Sequence, residues 1–196
     1  LMCQNEAFGV SAYGKREAVE QLTAQQIYEA WQTALRTARI ECMMLGNSDP
    51  QQAKQVFEQA FSHIQRTKPA DCSTQVVRSA QEVHEYNDSM EVAQAKLVLG
   101  FRAGTACPDK EVMAARLMSA IFGGTPHSKL FLNVREKMSL CYYCSSRYDR
   151  SKGIMLVESG VEQKNMEKAR KEILHQLEQI QQGDLEDSEI DSAKLS

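Results

Sequence analysis

Arg135 and Tyr142 stand seven residues apart in "NVREKMSLCYYCSSRYDR", residues 133–150. Arg135 comes late in a helical pattern, and Tyr142 follows where the pattern turns strand-like. A guanidinium carries a fixed fork of N–H donors, and a phenol carries one O–H. Converging on one carbonyl, the two would hold a peptide and stabilise the oxyanion formed during attack. They would act as electrophilic helpers and would not supply the nucleophile. The competing reading is an ordinary corner, with Arg135 paired to a nearby carboxylate and Tyr142 packed at a strand end. Composition alone favours the corner.

The remaining chemistry-bearing residues form no familiar constellation. Four histidines occur, His63, His84, His127 and His175. None belongs to H-E-x-x-H or its inverse, where two imidazoles one helical turn apart bind zinc and a glutamate activates water. His63 and His175 fall on helices at surface or boundary positions, and His84 sits in a polar approach to a strand. "GGTPHSKLF" places Gly123, Gly124 and His127 before a helix start, where free N–H groups can hold anions. It lacks the Lys-Ser/Thr of a phosphate loop, so a helix-to-helix turn is expected, with His127 available to orient the loop. Acidic pairs such as Glu186-Asp187 read as helix caps. Cys141 and Cys144 match C-x-x-C. On a regular strand residues three apart face opposite ways, and no second Cys/His pair completes four zinc ligands. The pair is therefore read as structural, with redox or zinc chemistry as the weaker alternative.

The chain that must position these residues has 196 of them, 42% hydrophobic, enough for one domain or two small ones. A net charge of -3 and a pI near 5.9 give no reason to expect nucleic acid or an anionic membrane as partner. No apolar run approaches the ~20 residues that span a bilayer, and no secretory signal is visible. Six irregularly spaced cysteines suit free buried thiols in a reducing cytoplasm. The sequence opens at Leu1 inside a helix-like pattern and stops at "EIDSAKLS" mid-pattern, which reads as a piece of a longer protein.

Periodicity then supplies the elements. Thr23 and Gln26 have capping-box spacing ahead of a helix through Ala38. "RIECMML" alternates as a half-buried strand would. Asp49 and Pro50 open a second helix, through Ile64. Residues 67–74, "TKPADCST", read as a linker. "EVAQAKLVLGFRAG" follows as a long strand with Ala93, Ala95, Leu97, Leu99 and Phe101 on one face, then a helix from Pro108 that stops at Gly123-Gly124. Ser128 caps "KLFLNVREK". Two strands joined at Ser151-Lys152-Gly153 form a hairpin, and a long helix ends at Gly183. Ser188 starts a last one. The strand–helix unit at 39–65 echoes that at 154–181. This order predicts an α+β protein, with helices packed on a largely antiparallel sheet.

The stretch "GGTPHSKLFLNVREKMSLCYYCSSRYDRSKGIMLVESGV" resembles the insulinase/pitrilysin family of zinc metallopeptidases, including the mitochondrial processing peptidases. The family's second domain has a Gly-rich turn, a helix with an Arg-Glu-Lys core, and a Tyr opening a strand seven residues after the Arg. "AKLVLGFRAGTACPDKEVMAARLMSAIFGG" is similar to the preceding strand and helix. "EAFGVSAYGKREAVEQLTAQQIYEAWQTALRTARIECMMLGNSD" is similar to the end of the first domain. More narrowly, the sequence resembles bacterial peptidase-like proteins associated with aminopentanol modification of elongation factor P, and among them the zinc-less paralogue. "AFGVSAYG" lacks the His and Pro often found there, which leans the same way. The resemblance implies a boundary: residues 1–66 end a first peptidase-like domain and 75–196 begin a second. It also implies that Arg135 and Tyr142 contact a substrate peptide. Zinc, its water and the general base would come from upstream sequence or from a homologous zinc-bearing subunit. This chain alone is then expected not to hydrolyse peptides. The alternative is a non-catalytic peptide-binding or scaffold protein that keeps the fold, and apolar faces left open would favour self-association.

Overall fold

The computed structural model describes residues 1–69 and 73–196; Cys72 and the middle of the 67–74 linker lie outside them. Two compact units result, Leu1–Gly9 with Thr74–Ser196, and Val10–Ser73. The sequence division kept residues 1–66 together, whereas Leu1–Gly9 packs with the later unit.

Val10–Ser73 holds α1 (Arg16–Glu20), α2 (Ala24–Thr37) and α3 (Pro50–Phe61). The capping box forms as the spacing predicts: the Thr23 hydroxyl accepts from the Gln26 N–H, and the Gln26 side chain accepts from the Thr23 N–H. Asp49 caps α3, accepting from the Gln51 N–H at 2.9 Å, with Pro50 in the first turn. The strand expected at 39–45 is absent, and so is its echo of the later unit. A strand needs a neighbour for its N–H and C=O groups, and no segment among the described residues pairs with this one. Ile40, Met44 and Leu45 are exposed as a result. Neither α2 nor α3 has a buried residue, so the apolar side chains Ile27, Trp31 and Val56 are laid open.

The larger unit contains a three-stranded antiparallel sheet in the order β1 (Ala95–Arg102), β3 (Ile154–Val161), β2 (Cys141–Asp149). The α+β expectation holds. Helices α4 (Val112–Ser119), α5 (Met166–Gln181) and α6 (Asp187–Lys194) join it. Two π-helical segments, Ala120–Gly124 and Leu130–Lys137, complete the unit. The core gathers Phe122, Leu130, Val134, Met155, Val157, Val161, Ala169 and Ile173, with Leu97, Leu99 and Phe101 of β1 packed against it. The helix expected from Pro108 begins at Val112. Asp109 holds a turn there, accepting from the Ala106 N–H at 3.0 Å and from the Thr105 hydroxyl at 3.3 Å. The opening residues also differ from expectation, forming turns and one short 3₁₀ segment at Ala7–Gly9 instead of an α-helix. At the other end Glu186 caps α6 in a capping box with Glu189, so the acidic pair is a cap and the helix starts one residue before Ser188.

The β2–β3 hairpin is fastened at its tip. Asp149 accepts from the N–H groups of Ser151 at 2.8 Å and Lys152 at 3.1 Å. Gly153 takes φ +69°, where a side chain would also meet the Thr105 carbonyl oxygen at 2.7 Å. The Lys152 side chain, 1% exposed, then reaches inward to Glu6, which also binds Arg102. One buried carboxylate thus faces two cations, and Arg102 additionally donates to the Met2 carbonyl at 3.0 Å. Hydrogen bonds from Arg102 first and Lys152 second hold the Glu6 carboxyl below its ordinary range. A depressed native pKa means stability fully present above the unfolded carboxyl's pKa of about 4.3 and lost as pH falls below it. Glu6→Gln leaves two buried cations without a counter-charge and is expected to cost on the order of 3 kcal/mol. Calorimetry should show a lowered Tm, whereas Lys54→Ala at the exposed Lys54–Glu58 pair should leave Tm in place.

Candidate functional site

Arg135 lies in the last turn of Leu130–Lys137, a segment started where the Ser128 hydroxyl accepts from the Phe131 N–H at 3.4 Å. Leu130 and Val134, one turn apart, are fully buried and fix which face points inward. Arg135 therefore sits at the boundary. Its guanidinium lies 4.5 Å from the centre of the Phe131 ring, one turn back, and its Nε is 3.5 Å from Glu136 Oε1. Stacking on the ring limits the rotamers of a long side chain without consuming its donors.

The chain then turns sharply. Ser139 adopts φ +50°, and the Leu140 N–H returns to the Val134 carbonyl at 3.1 Å, closing the helix end. Leu140 is buried, and β2 begins at the next residue, Cys141. The first residues of β2 carry a bulge. Cys141 pairs with Val161 and Tyr143 with Gly160, leaving Tyr142 as the extra residue. The Tyr143 ring covers Gly160 on the outer face so closely that a Cβ there would lie 2.6 Å from its Cε1. Tyr142 is 74% exposed. Arg135 thus lies at the end of one element and Tyr142 near the start of the next, and the charge of Arg135 reaches Cys141, the residue before Tyr142.

The bulge also corrects the reading of C-Y-Y-C. Cys144 pairs with Ser159, two residues from the Val161 that faces Cys141. The two thiols therefore share the inner face, where a regular strand would have parted them. The Cys141 thiol is lowered to about 7, first by the neighbouring Cys144 and more weakly by Ser159 and the charge of Arg135, against the opposing effect of burial; the Ser159 hydroxyl itself donates to the Tyr143 carbonyl at 2.9 Å. Cys144 is pushed up by Cys141 and by burial, and stays protonated. The other described cysteines are free: Cys3 is buried, but Cys42 and Cys107 are exposed, contrary to the expectation of buried thiols.

Gly123 is a packing residue. A Cβ there would lie 2.6 Å from the Ser146 backbone nitrogen, so only glycine lets this segment touch β2. The helix ends at Gly124, within the glycine pair as expected, its last turn being π-helical. Ser146 ties the two elements together, donating to the Ser119 carbonyl at 2.7 Å where the helix widens. Gly124 and His127 are exposed in the turn that follows. His127 and His175 lie at a polar cleft of about 710 Å³ with Lys129, Asn133, Glu172 and Gln176. The inner polar groups of that cleft satisfy one another: Lys129 pairs with Glu189 at 3.1 Å, and Asn133 donates to Gln176 at 2.9 Å. His63 and His84 are exposed elsewhere, His63 in the turn after α3. Among the described residues no three of His, Cys, Asp and Glu converge as metal ligands. No helix among them is long and apolar enough to cross a membrane.

Helices packed on a three-stranded antiparallel sheet, truncated relative to its structural neighbours, describe a peptidase-like α+β fold. The chain belongs to the family described as the peptidase M16 inactive domain, which it matches over residues 21–196. It is 33% identical over 193 residues to the probable inactive metalloprotease YmfF of Bacillus subtilis (strain 168), covering 98% of this chain and 45% of that protein. The chain therefore spans less than half the length of this relative. A crystal structure of a conserved protein from Enterococcus faecalis V583 superposes with a TM-score of 0.84 at 28% identity, over 95% of this chain and 44% of that one. A peptidase M16 inactive domain from Pseudomonas fluorescens shares the fold, with a TM-score of 0.68 at 18% identity over 94% of this chain and 45% of that one.

Thiolate character at Cys141 is open to a direct check. Alkylation by iodoacetamide should rise through about pH 7 at Cys141, well below the ordinary thiol range near 8.5. Arg135→Ala should move that midpoint upward, because it removes a positive charge that favours the thiolate. Peptide-resolved mass spectrometry reads both.

Proposed function

We propose that this chain is the peptide-holding part of a metallopeptidase-type protein and does not hydrolyse peptides by itself. Arg135 and Tyr142 contact the backbone of a bound peptide, the guanidinium and the phenol donating to its carbonyl oxygens. Zinc, its water and the general base belong to upstream sequence of the parent protein or to a homologous zinc-bearing subunit. The observation that carries this reading is the corner itself. A stacked guanidinium and a bulge-borne, solvent-facing tyrosine lie at adjoining ends of two elements that a shared core holds fixed. Within the complete protein, the open apolar sides of α2 and α3 would meet that subunit or a second copy. Free thiols at the described cysteines suit a bacterial cytoplasm.

A second reading has its own support. The Bacillus relative is described as probably inactive, which favours a protein that binds peptides without any chain cleaving them. Both readings use the same corner and differ only in the fate of the peptide. Binding of a fluorescein-labelled library of unstructured peptides, followed by anisotropy, tests what they share. Arg135→Ala and Tyr142→Phe should each weaken binding, the Arg variant by at least about tenfold, since a charge-assisted hydrogen bond contributes about 1.5–3 kcal/mol. Thermal stability should change by less than about 0.5 kcal/mol, because neither side chain belongs to the core. Unchanged binding in both variants would remove the corner from either reading.

A further inference from the structure

The chain leaves the larger unit after Gly9 and rejoins it at Thr74, so Leu1–Gly9 leads out and the stretch from Thr74 leads back. One ammonium touches both. Lys152 Nζ donates to the Glu6 carboxylate on the outgoing stretch and to the Gln75 carbonyl on the returning one. The Phe8 ring centre lies 5.8 Å from the same nitrogen. Three N–H donors on one point allow an ammonium to serve a carboxylate and a carbonyl together. Arg102, by contrast, commits its donors to Glu6 and the Met2 carbonyl, both on the outgoing stretch. Lys152 is itself held: its N–H is bound by Asp149, and the Ala103 N–H donates to the Gly153 carbonyl at 2.9 Å, fixing the hairpin tip against the end of β1. The outgoing stretch is compact as well. The Glu6 N–H donates to the Cys3 carbonyl at 3.0 Å, and the Gly9 N–H donates to the Glu6 carbonyl at 2.9 Å. Met2 lies over Gly100 of β1, where a Cβ would collide with its sulfur, and Cys3 is buried.

We propose that Lys152 is a clasp that makes the outgoing and returning stretches open and close as one. Both contacts are strong because the ammonium is shut away from water, 1% exposed. When either stretch lifts, water reaches the ammonium, the surroundings lose their low dielectric, and the bond to the other stretch weakens. The returning stretch has a further hold at the surface, where Arg78 donates to the Gly104 carbonyl at 2.9 Å and pairs with Asp109. An exposed pair of that kind contributes little, so the buried ammonium decides. Both ends of the Val10–Ser73 unit are then fastened or released together, at a point inside the larger unit. This inference does not rest on peptide binding at Arg135 and Tyr142.

Alkylation by N-ethylmaleimide reads the outgoing stretch at Cys3, with buried Cys144 as the marker of an intact core. Backbone order parameters from nitrogen relaxation read the returning stretch at residues 75–77. Lys152→Met keeps the stem and the N–H that Asp149 binds, and leaves Glu6 paired with Arg102. It should speed alkylation of Cys3 at least about tenfold, the loss expected for a hydrogen bond to a charged group. Order parameters at residues 75–77 should fall in the same variant from about 0.85 to below about 0.6, with β3 unchanged. Arg78→Ala supplies the sharper arm. Arg78 is exposed and contacts no residue of Leu1–Gly9 among those described, so its loss leaves the fold in place. Coupling through Lys152 nevertheless requires Cys3 to react about threefold faster. Unchanged Cys3 reactivity in Arg78→Ala would overturn the proposal, and so would undisturbed order at residues 75–77 in Lys152→Met. Should Lys152→Met expose Cys144 too, Arg78→Ala alone decides.

Discussion

The inner face of β3 is the constraint on which this unit depends. Met155, Val157, Ser159 and Val161 alternate toward the core and are all nearly inaccessible. β3 has a hydrogen-bonded neighbour on each side, so a slip of one residue would turn this whole set away from the core. Its register is therefore fixed, and β1 and β2 inherit theirs from it. The bulge at Tyr142 has meaning only against that fixed register. One surplus residue sends Tyr142 outward, seats Tyr143 over Gly160 and aligns Cys141 with Cys144.

Helical packing adds the second half of the corner. Leu130 and Val134 enter the same core as Val157 and Ile173, which sets the rotation of the segment carrying Arg135. Gly123 allows the preceding turn to press against β2, and the Ser146 hydroxyl satisfies the Ser119 carbonyl there. Lys152 and Arg102 meet at Glu6, tying the hairpin tip and the end of β1 to the first residues of the chain. Position at the corner thus follows from burial, and the exposed groups are held by elements that cannot turn without opening the core.

Much of this was legible from residue patterns. The Thr23–Gln26 box, the Asp49-Pro50 start, the β2–β3 hairpin and the buried side of β1 each rest on a local rule and formed as read. The misreadings share one cause, which is that a pattern says what a segment prefers and not whether a partner exists. "RIECMML" alternates correctly and stays irregular because no strand lies beside it. C-Y-Y-C was judged on an ideal two-residue period, and a bulge is invisible to that rule. The Tyr143 ring covers Gly160, a strand glycine in another segment that no local pattern links to Tyr142-Tyr143. The buried Glu6 triad joins residues 146 positions apart and had no local signature.

The account rests on a peptide occupying the corner between Arg135 and Tyr142. Hydrogen exchange of the full chain, measured by mass spectrometry with and without saturating peptide, tests this most directly. Bound peptide should slow exchange in the stretch from Leu130 through Cys144, leaving α2 and α3 unchanged. Protection confined to α2 and α3, or to the polar cleft at His127 and His175, would contradict it and move the binding surface elsewhere.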